Sequence, residues 1–213
     1  MKYRSGDDGA NAIANNNGST RGRGGNSVRK VKAEIGCNQF GQPRCQAEAN
    51  TMQIRDATIE DLPAIVAIYN STVPTRKVTA DTEPVSVASR EKWYAEHSPA
   101  RRPLWIAEDN GQVAGWLSYS SFYGRPAYDG TCEVSVYLAP EHRRRGLGTQ
   151  LLIRSIEHAP RIGVTTLLGF IFGHNEPSLR LFEKLGFTRW GHLPRVAVLD
   201  GVERDLIIVG RRV

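Results

Sequence analysis

Cysteine is scarce in this chain: 213 residues hold three, Cys37, Cys45 and Cys132. An odd number at these wide spacings completes no disulfide framework and lacks the C-x-x-C pairing of a zinc site or redox couple. A reducing, cytoplasmic setting is therefore expected. Long apolar runs are missing too. No stretch approaches the ~18 consecutive apolar residues that a membrane-spanning helix needs. Lys2 and Arg4 are followed by no apolar segment, so no signal peptide is expected. The five histidines, His97, His142, His158, His174 and His192, show no metal-ligand spacing, and no metal is expected. No internal repeat is visible. With 40% hydrophobic and 23% charged residues, wholesale disorder and a fibrous repeat are both excluded.

Positive charge is present in modest excess, and its location matters more than its size. The first fifty residues hold eight basic and four acidic side chains, so +4 of the net +6 lies there. The same segment is rich in Asn, Gly, Ser and Arg and poor in large apolar residues, so it cannot bury enough surface to offset its conformational entropy. Residues 1–51 read as a low-complexity, disordered extension, and residues 52–213 as one folded domain. Arg21-Gly22-Arg23-Gly24-Gly25 has a weak likeness to RNA-binding arginine-glycine segments. A solvated extension, or an over-long start with the initiator at Met52, is the favoured reading, and a nucleic-acid partner is not expected.

From Met52 the pattern becomes that of folded structure. Gln53-Ile54-Arg55 reads as a strand. Thr58 followed by Glu60 and Asp61 offers a helix N-cap, and Leu62, Ile65, Val66, Ile68 and Tyr69 recur at helical spacing. A loop over 72–85 and a short helix over 89–94 follow. Strands at 104–107 and 113–117 flank Asp109-Asn110-Gly111, a strong hairpin signal. Further strands are expected at 133–138, 166–172, 189–198 and 203–210, with helices at 147–159 and 177–185. Antiparallel strands with interspersed helices make an α+β plan on one sheet.

The stretch richest in chemistry is Glu141-His142-Arg143-Arg144-Arg145-Gly146-Leu147-Gly148-Thr149, between a strand and an amphipathic helix. Gly146 and Gly148 allow a tight turn that points successive N–H groups into one concavity, and the helix start adds its positive dipole end. Arg143, Arg144 and Arg145 supply cations for phosphates. A diphosphate is the natural occupant. The loop lacks the Lys-[Ser/Thr] ending of a triphosphate loop and the third glycine of a dinucleotide fingerprint.

Arg143-x-x-Gly146-x-Gly148 resembles the signature with which the GNAT superfamily of N-acetyltransferases grips the pyrophosphate of acetyl-CoA. The segment from Asn175-Glu176-Pro177-Ser178 to Leu185-Gly186-Phe187 is similar to that superfamily's second cofactor segment. Within the superfamily the chain resembles the phosphinothricin and methionine-sulfoximine acetyltransferases. The likeness there rests on Ile68-Tyr69-Asn70-Ser71-Thr72-Val73, Asp81-Thr82-Glu83-Pro84, Gly124-Arg125-Pro126-Ala127-Tyr128 and Thr131-Cys132-Glu133-Val134-Ser135-Val136-Tyr137. It runs from about Met52 to the C-terminus.

This resemblance implies a mixed, mostly antiparallel central sheet flanked by helices, acetyl-CoA as co-substrate and a small-molecule amine as acceptor. It also implies a homodimer, by analogy. The cofactor contacts it implies are the run Arg143, Arg144, Arg145, Gly146, Leu147, Gly148 and Thr149, the backbone of Val136, Tyr137 and Leu138 along the pantetheine arm, and Asn175 with Ser178. Asn175-x-Pro177 is equally an ordinary helix start.

Glu133 stands where the resembling enzymes place a general base. An amino-acid amine has a pKa near or above ~8 and must lose a proton before it attacks. The plain alternative for Glu133 is a structural ion pair. Strand alternation places Ser135 on the same face as Glu133, and Val134 and Val136 on the other. Cys132 falls on that other face, which argues against an acetyl-cysteine intermediate.

The sequence departs from the family at Phe182, where many members carry a Tyr that protonates the departing thiolate. Either Tyr137 or Tyr123 replaces it, or the thiolate leaves unassisted, and Phe182 packs in the core. For the acceptor, Arg125 and Tyr128 are candidates to read a carboxylate or phosphinate, with Phe122 and Tyr123 as an apolar wall and Ser135 beside the base. An ordinary surface loop is the competing reading. Other acceptors (a polyamine, an antibiotic, a protein N-terminus) and RNA binding through the Arg/Gly extension are the rival functions.

Overall fold

The computed structural model describes residues 52–213. The extension before them, with the disorder and RNA-binding reading attached to it, lies outside the described residues. Seven strands form one sheet in the order β1-β2-β3-β4-β5-β7-β6, antiparallel throughout except where β4 meets β5. The strands are β1 (Met52–Asp56), β2 (Leu104–Asp109), β3 (Gln112–Ser121), β4 (Thr131–Leu138), β5 (Thr166–Phe172), β6 (Thr188–Leu199) and β7 (Val202–Arg212). The helices are α1 (Leu62–Asn70), α2 (Val87–Ala95), α3 (Leu147–His158) and α4 (Glu176–Lys184). This is the α+β, mostly antiparallel plan that the sequence implied. Among the described residues no helix is long and apolar enough to cross a membrane.

Local chemistry accounts for most element ends. The β2–β3 turn has Asn110 at φ 51° and Gly111 at φ 77°, the left-handed pair that a two-residue hairpin demands. The Thr58 cap forms, with Asp61 accepting from the Thr58 N–H at 2.7 Å, but it opens a 3-10 turn (Ile59–Asp61) and α1 starts only at Leu62. Arg55 holds the same carboxylate at 2.7 Å and 2.8 Å, which lowers the Asp61 pKa from its ordinary value. The loop expected at 72–85 contains a short 3-10 turn (Val73–Thr75), after which Arg76 adopts φ 53°. Arg76 donates to the Thr82 carbonyl and pairs with Asp200 in the β6–β7 turn. β3 and β4 both extend further into the loop between them than apolar patterning showed, because Ser118, Ser120, Ser121 and Thr131 are polar strand residues.

Side chains alternate across the sheet and divide the core in two. Cys132, Val134, Leu167 and Ile171 pack with Leu151, Leu152 and Phe182 of α3 and α4. On the other face, Ile106 and Trp116 pack with Ile65 and Ile68 of α1, and Trp93, Tyr94 and Tyr137 join them. Burying this apolar surface at roughly 25 cal/mol per Å² is the main stabilising term, and it fixes which face each β4 residue presents.

The feature that creates a site is a fork between β4 and β5. The two strands pair only at Thr131↔Thr166, Cys132↔Leu167 and Glu133↔Leu168, then part. β3 stays paired with β4 as far as Leu138. From Val134 to Leu138, therefore, the β5-facing backbone edge of β4 has no strand partner.

Candidate active site

The glycine loop lies at the far end of that open edge. Arg144 takes φ 62° and Gly146 φ 83°, so the chain doubles back and Gly146 becomes the N-cap of α3. A Cβ on Gly146 would meet no heavy atom within 4 Å, so glycine is needed there for its backbone conformation and for close approach, not for packing. Gly148 differs: its missing Cβ would press on Leu181 at 3.2 Å and Leu138 at 3.5 Å, so glycine lets α3 lie against α4 and β4.

The Leu147 side chain is buried in the core, whereas Thr149 is half-buried. The three arginines behave differently from one another. Arg143 donates to the Leu138 carbonyl at 3.1 Å and braces the turn. Arg145 lies 3.8 Å from Asp109, while Arg144 makes no ion pair among the described residues. Asp109 is buried and also stands 3.3 Å from His142, so the hairpin turn supports the loop from beneath. Sequence reading had used Asp109 only as a turn signal; its reach to the loop spans 33 residues and leaves no local trace.

Asn175 caps α4, its Oδ1 accepting from the Ser178 N–H at 3.4 Å. The Asn175 side chain is buried at the end of β5, and Ser178 lies half-buried one turn into α4. Val136 packs toward the α3 face and Tyr137 toward the α1 face.

Glu133 occupies the last paired rung of the fork, on the α1 face, where strand alternation put it. Burial pushes its carboxyl pKa up from the ordinary value, and a hydrogen bond from the Ser135 hydroxyl at 3.3 Å lowers it in part. No cation pairs with it among the described residues, so the ion-pair alternative finds no partner there. Cavities open on both sides of this carboxylate. One, of about 190 Å³, is enclosed by α1, α2 and β3 and lined by Tyr69, Arg90, Trp93, Trp116, Ser135 and Tyr137. The other, of about 380 Å³, is bounded by Phe122, Tyr123, Leu168, Phe170, Leu193 and Ile208.

The first cavity contains groups that sequence reading missed. Arg90 pairs with Asp81 at 2.8 Å and lies over the Tyr69 ring at 4.7 Å, and Tyr69 donates to Asp81 at 2.6 Å. These residues lie in a loop and two helices, so no periodicity joins them. Tyr137 stacks on Trp116 at 4.3 Å, and burial holds its phenol well above the usual range.

The second cavity gathers the expected acceptor wall. Phe122 meets Tyr123 and Tyr128 edge-on at 4.5 Å and 5.5 Å, and faces Phe170 at 6.5 Å. Arg125 is exposed at the loop tip, lines neither cavity and makes no side-chain hydrogen bond or ion pair among the described residues. Tyr123, although 77% exposed, borders the second cavity. Phe182, as expected, is a core residue: it packs on Phe187 at 4.9 Å and against Gly169, where a Cβ would come within 2.7 Å of its ring. Cys132 is fully buried on the opposite face from Glu133, and burial pushes its thiol up to about 11.

Comparison with known proteins agrees with this geometry. A profile of the Acetyltransferase (GNAT) family matches residues 65–187. A Bacillus subtilis (strain 168) protein named "Putative phosphinothricin acetyltransferase YwnH" is 52% identical over 161 residues, spanning 75% of this chain and 98% of its own. An L-methionine sulfoximine/L-methionine sulfone acetyltransferase of Pseudomonas paraeruginosa (strain DSM 24068 / PA7) is 36% identical over 154 residues, 72% of this chain and 90% of that enzyme. A solved Salmonella typhimurium structure that holds its cofactor acetyl-CoA superposes with a TM-score of 0.72 at 34% identity, covering 76% of this chain and 94% of the other. An unpaired strand edge leading to a glycine-rich helix start, matched in sequence and in fold by acetyl-CoA-binding relatives, places this chain in the GNAT family: it is an acetyltransferase whose co-substrate is acetyl-CoA.

Proposed function

We propose that the chain N-acetylates a small amino-acid-like amine, of the phosphinothricin or methionine-sulfoximine type, by direct transfer within a ternary complex. The observation that carries this reading is the position of Glu133: a half-buried carboxylate with no cationic partner among the described residues, at the rung where β4 and β5 part, between two cavities. The relatives named for phosphinothricin and methionine sulfoximine support the acceptor class.

The strand edge from Val134 to Leu138 would take the pantetheine arm as a further strand-like partner, through the backbone of Val136, Tyr137 and Leu138. The diphosphate would rest on the N–H groups of residues 146–149 with Arg143, Arg144 and Arg145 around it. Asn175, with one amide oxygen spent on the cap, keeps its NH₂ to donate to the pantetheine, beside Ser178. The Leu147 side chain has no part in binding.

Glu133 takes a proton from the ammonium of the acceptor. The neutral amine attacks the thioester carbonyl, and the C–N bond forms as the carbonyl π electrons move to oxygen. A β4 backbone N–H stabilises that oxyanion, a contact of a kind worth about 3 kcal/mol in the transition state. Collapse breaks the C–S bond, the amide nitrogen sheds its second proton to solvent, and CoA leaves as thiolate. With Phe182 buried in the core, no acid is needed at that position, because a thiol of pKa ~8.5 departs readily as its anion. Acetyl-cysteine chemistry is disfavoured, since Cys132 is buried, protonated and on the wrong face.

Phe122, Tyr123 and Tyr128 would pack on the acceptor side chain, with Ser135 beside the base. Arg125, free at the loop tip, would close on the acceptor's carboxylate or phosphinate. We also propose a homodimer: β6 ends the sheet and exposes Trp190, Val196 and Val198, an apolar edge suited to a second copy. Light scattering after size exclusion tests it, and a monomer mass at micromolar concentration overturns it.

The acceptor is tested by thiol release from acetyl-CoA with a panel of amino acids, phosphinothricin, methionine sulfoximine and polyamines. The expected outcome is turnover with the amino-acid-like amines. Turnover confined to polyamines would overturn the reading.

A further inference from the structure

The loop between β3 and β4, residues 122–130, carries Phe122, Tyr123, Arg125 and Tyr128. Its tip is closed by internal hydrogen bonds, Gly124 N–H to the Phe122 carbonyl, Tyr128 N–H to that of Arg125, and Asp129 N–H to that of Pro126, while at its base Phe122 N–H donates to the Thr131 carbonyl and the Gly130 carbonyl accepts from the Thr165 and Thr166 N–H groups. Its tip is held in the left-handed region at Tyr123 (φ 53°) and Gly124 (φ 60°), a conformation that costs free energy for a tyrosine. Such a tip keeps one shape only if both ends of the loop are fixed.

Backbone bonds hold the base, and Arg102 is the side chain that ties the two ends to each other. It lies just before β2 and is 5% exposed, yet no carboxylate pairs with it among the described residues. Its Nε donates to the Ser121 hydroxyl at 2.8 Å and one terminal nitrogen to the Asp129 carbonyl at 3.0 Å. The other terminal nitrogen donates to the Arg101 carbonyl at 2.9 Å. Ser121 ends β3, and Asp129 stands two residues before β4. One planar guanidinium therefore ties the outgoing strand to the returning chain, directly below the aromatic wall. The nearby Arg101–Asp129 pair is solvent-exposed and adds little. Burying a cation against neutral oxygens is costly, and a methionine would fill the space more cheaply. What the guanidinium supplies is geometry, because its rigid fork holds the two ends at a set separation.

We propose that Arg102 is a positioning residue for acceptor recognition: it holds the 122–130 loop in the shape that presents Tyr123, Arg125 and Tyr128 to the substrate. The inference rests on the reading of that loop as the acceptor wall. It concerns binding of the acceptor alone, since the cofactor loop and the β4 edge lie elsewhere on the sheet.

The test uses the full chain with Arg102→Met and, should that variant fold poorly, Arg102→Lys, whose single ammonium reaches fewer of the three oxygens. Hydrogen exchange read by mass spectrometry should rise about tenfold or more across residues 122–130 and stay unchanged in β2, β5 and β7. In the same preparations the acceptor KM should rise about tenfold, while kcat and the acetyl-CoA KM stay within about twofold. Guanidinium ion added at concentrations below those that denature should restore part of the loss in Arg102→Ala. Unchanged exchange in the loop overturns the clamp and leaves the proposed function standing. A loosened loop with an unchanged acceptor KM overturns the positioning role, and with it the loop's assignment as acceptor wall. A parallel rise in both KM values, or no rescue, overturns it in favour of a purely structural role.

Discussion

The sides of this site proposed for the cofactor and for the acceptor are built in different ways. The proposed cofactor side is nearly continuous in sequence: β4, the arginine-glycine loop and the start of α3 follow one another over 19 residues, from Thr131 to Thr149, and only Asn175 and Ser178 join from the start of α4. Its contacts are largely backbone, so its demands on sequence are conformational, namely glycine where φ is positive and a helix start where a dipole is needed. The cavities proposed to border the acceptor are assembled from α1, α2, the β3–β4 loop and the β6–β7 hairpin, and their walls are side chains that meet only after folding. Backbone recognition leaves a motif, and side-chain recognition leaves scattered residues. Glu133 stands where the two halves join.

Several substitutions separate the halves. Gly146→Val forces a β-branched residue to φ 83° and fills the cradle, so acetyl-CoA affinity should drop about a hundredfold while the fold persists, as followed by calorimetric titration and circular dichroism. Equal affinity in the variant would break the assignment of this loop to the diphosphate. Arg125→Ala should raise KM about tenfold for amino-acid acceptors and leave the acetyl-CoA KM alone; equal losses for anionic and uncharged amines would remove Arg125 from recognition. Cys132→Ala should change kcat by no more than about twofold, with only the modest stability cost of a small core cavity, and a large loss would revive the acyl-cysteine route.

The smallest effect concerns stability. Burial raises the Glu133 pKa, so its ionised form destabilises the fold once pH rises through that value, and protonation at lower pH relieves the cost. Glu133→Gln should therefore melt slightly higher than the parent protein at neutral pH, and a lower melting temperature would show that the carboxylate is structural.

The same contrast explains what could be read in advance. The order of strands and helices was legible from period-two and helical spacing, and Asn110-Gly111 marked its hairpin because few other pairs accept two positive φ angles. The faces of Glu133 and Cys132 followed from alternation alone. Long-range polar contacts were illegible. Arg90 joins Asp81 and Tyr69, Asp109 supports His142 and Arg145, and Arg102 closes a loop 19 residues away at Ser121. Each is an unremarkable surface-type residue by composition, and only the sheet order brings it to its partner. Polar strand ends also hid the true lengths of β3 and β4, since serine and threonine carry no apolar signal.

The account stands or falls on Glu133 as the base at that junction. The direct measurement is thiol release at saturating acetyl-CoA and acceptor across pH for the parent protein and Glu133→Gln, with acetyl-CoA affinity titrated in both. The account predicts a kcat lowered by about 10² to 10⁴ in Glu133→Gln, and acetyl-CoA binding within about twofold of the parent. It also predicts that the parent's rate falls on acidification, above the pH at which an exposed glutamate titrates, because only the ionised carboxylate accepts the proton. Parent-like turnover in Glu133→Gln, with the same fall on acidification, would contradict it.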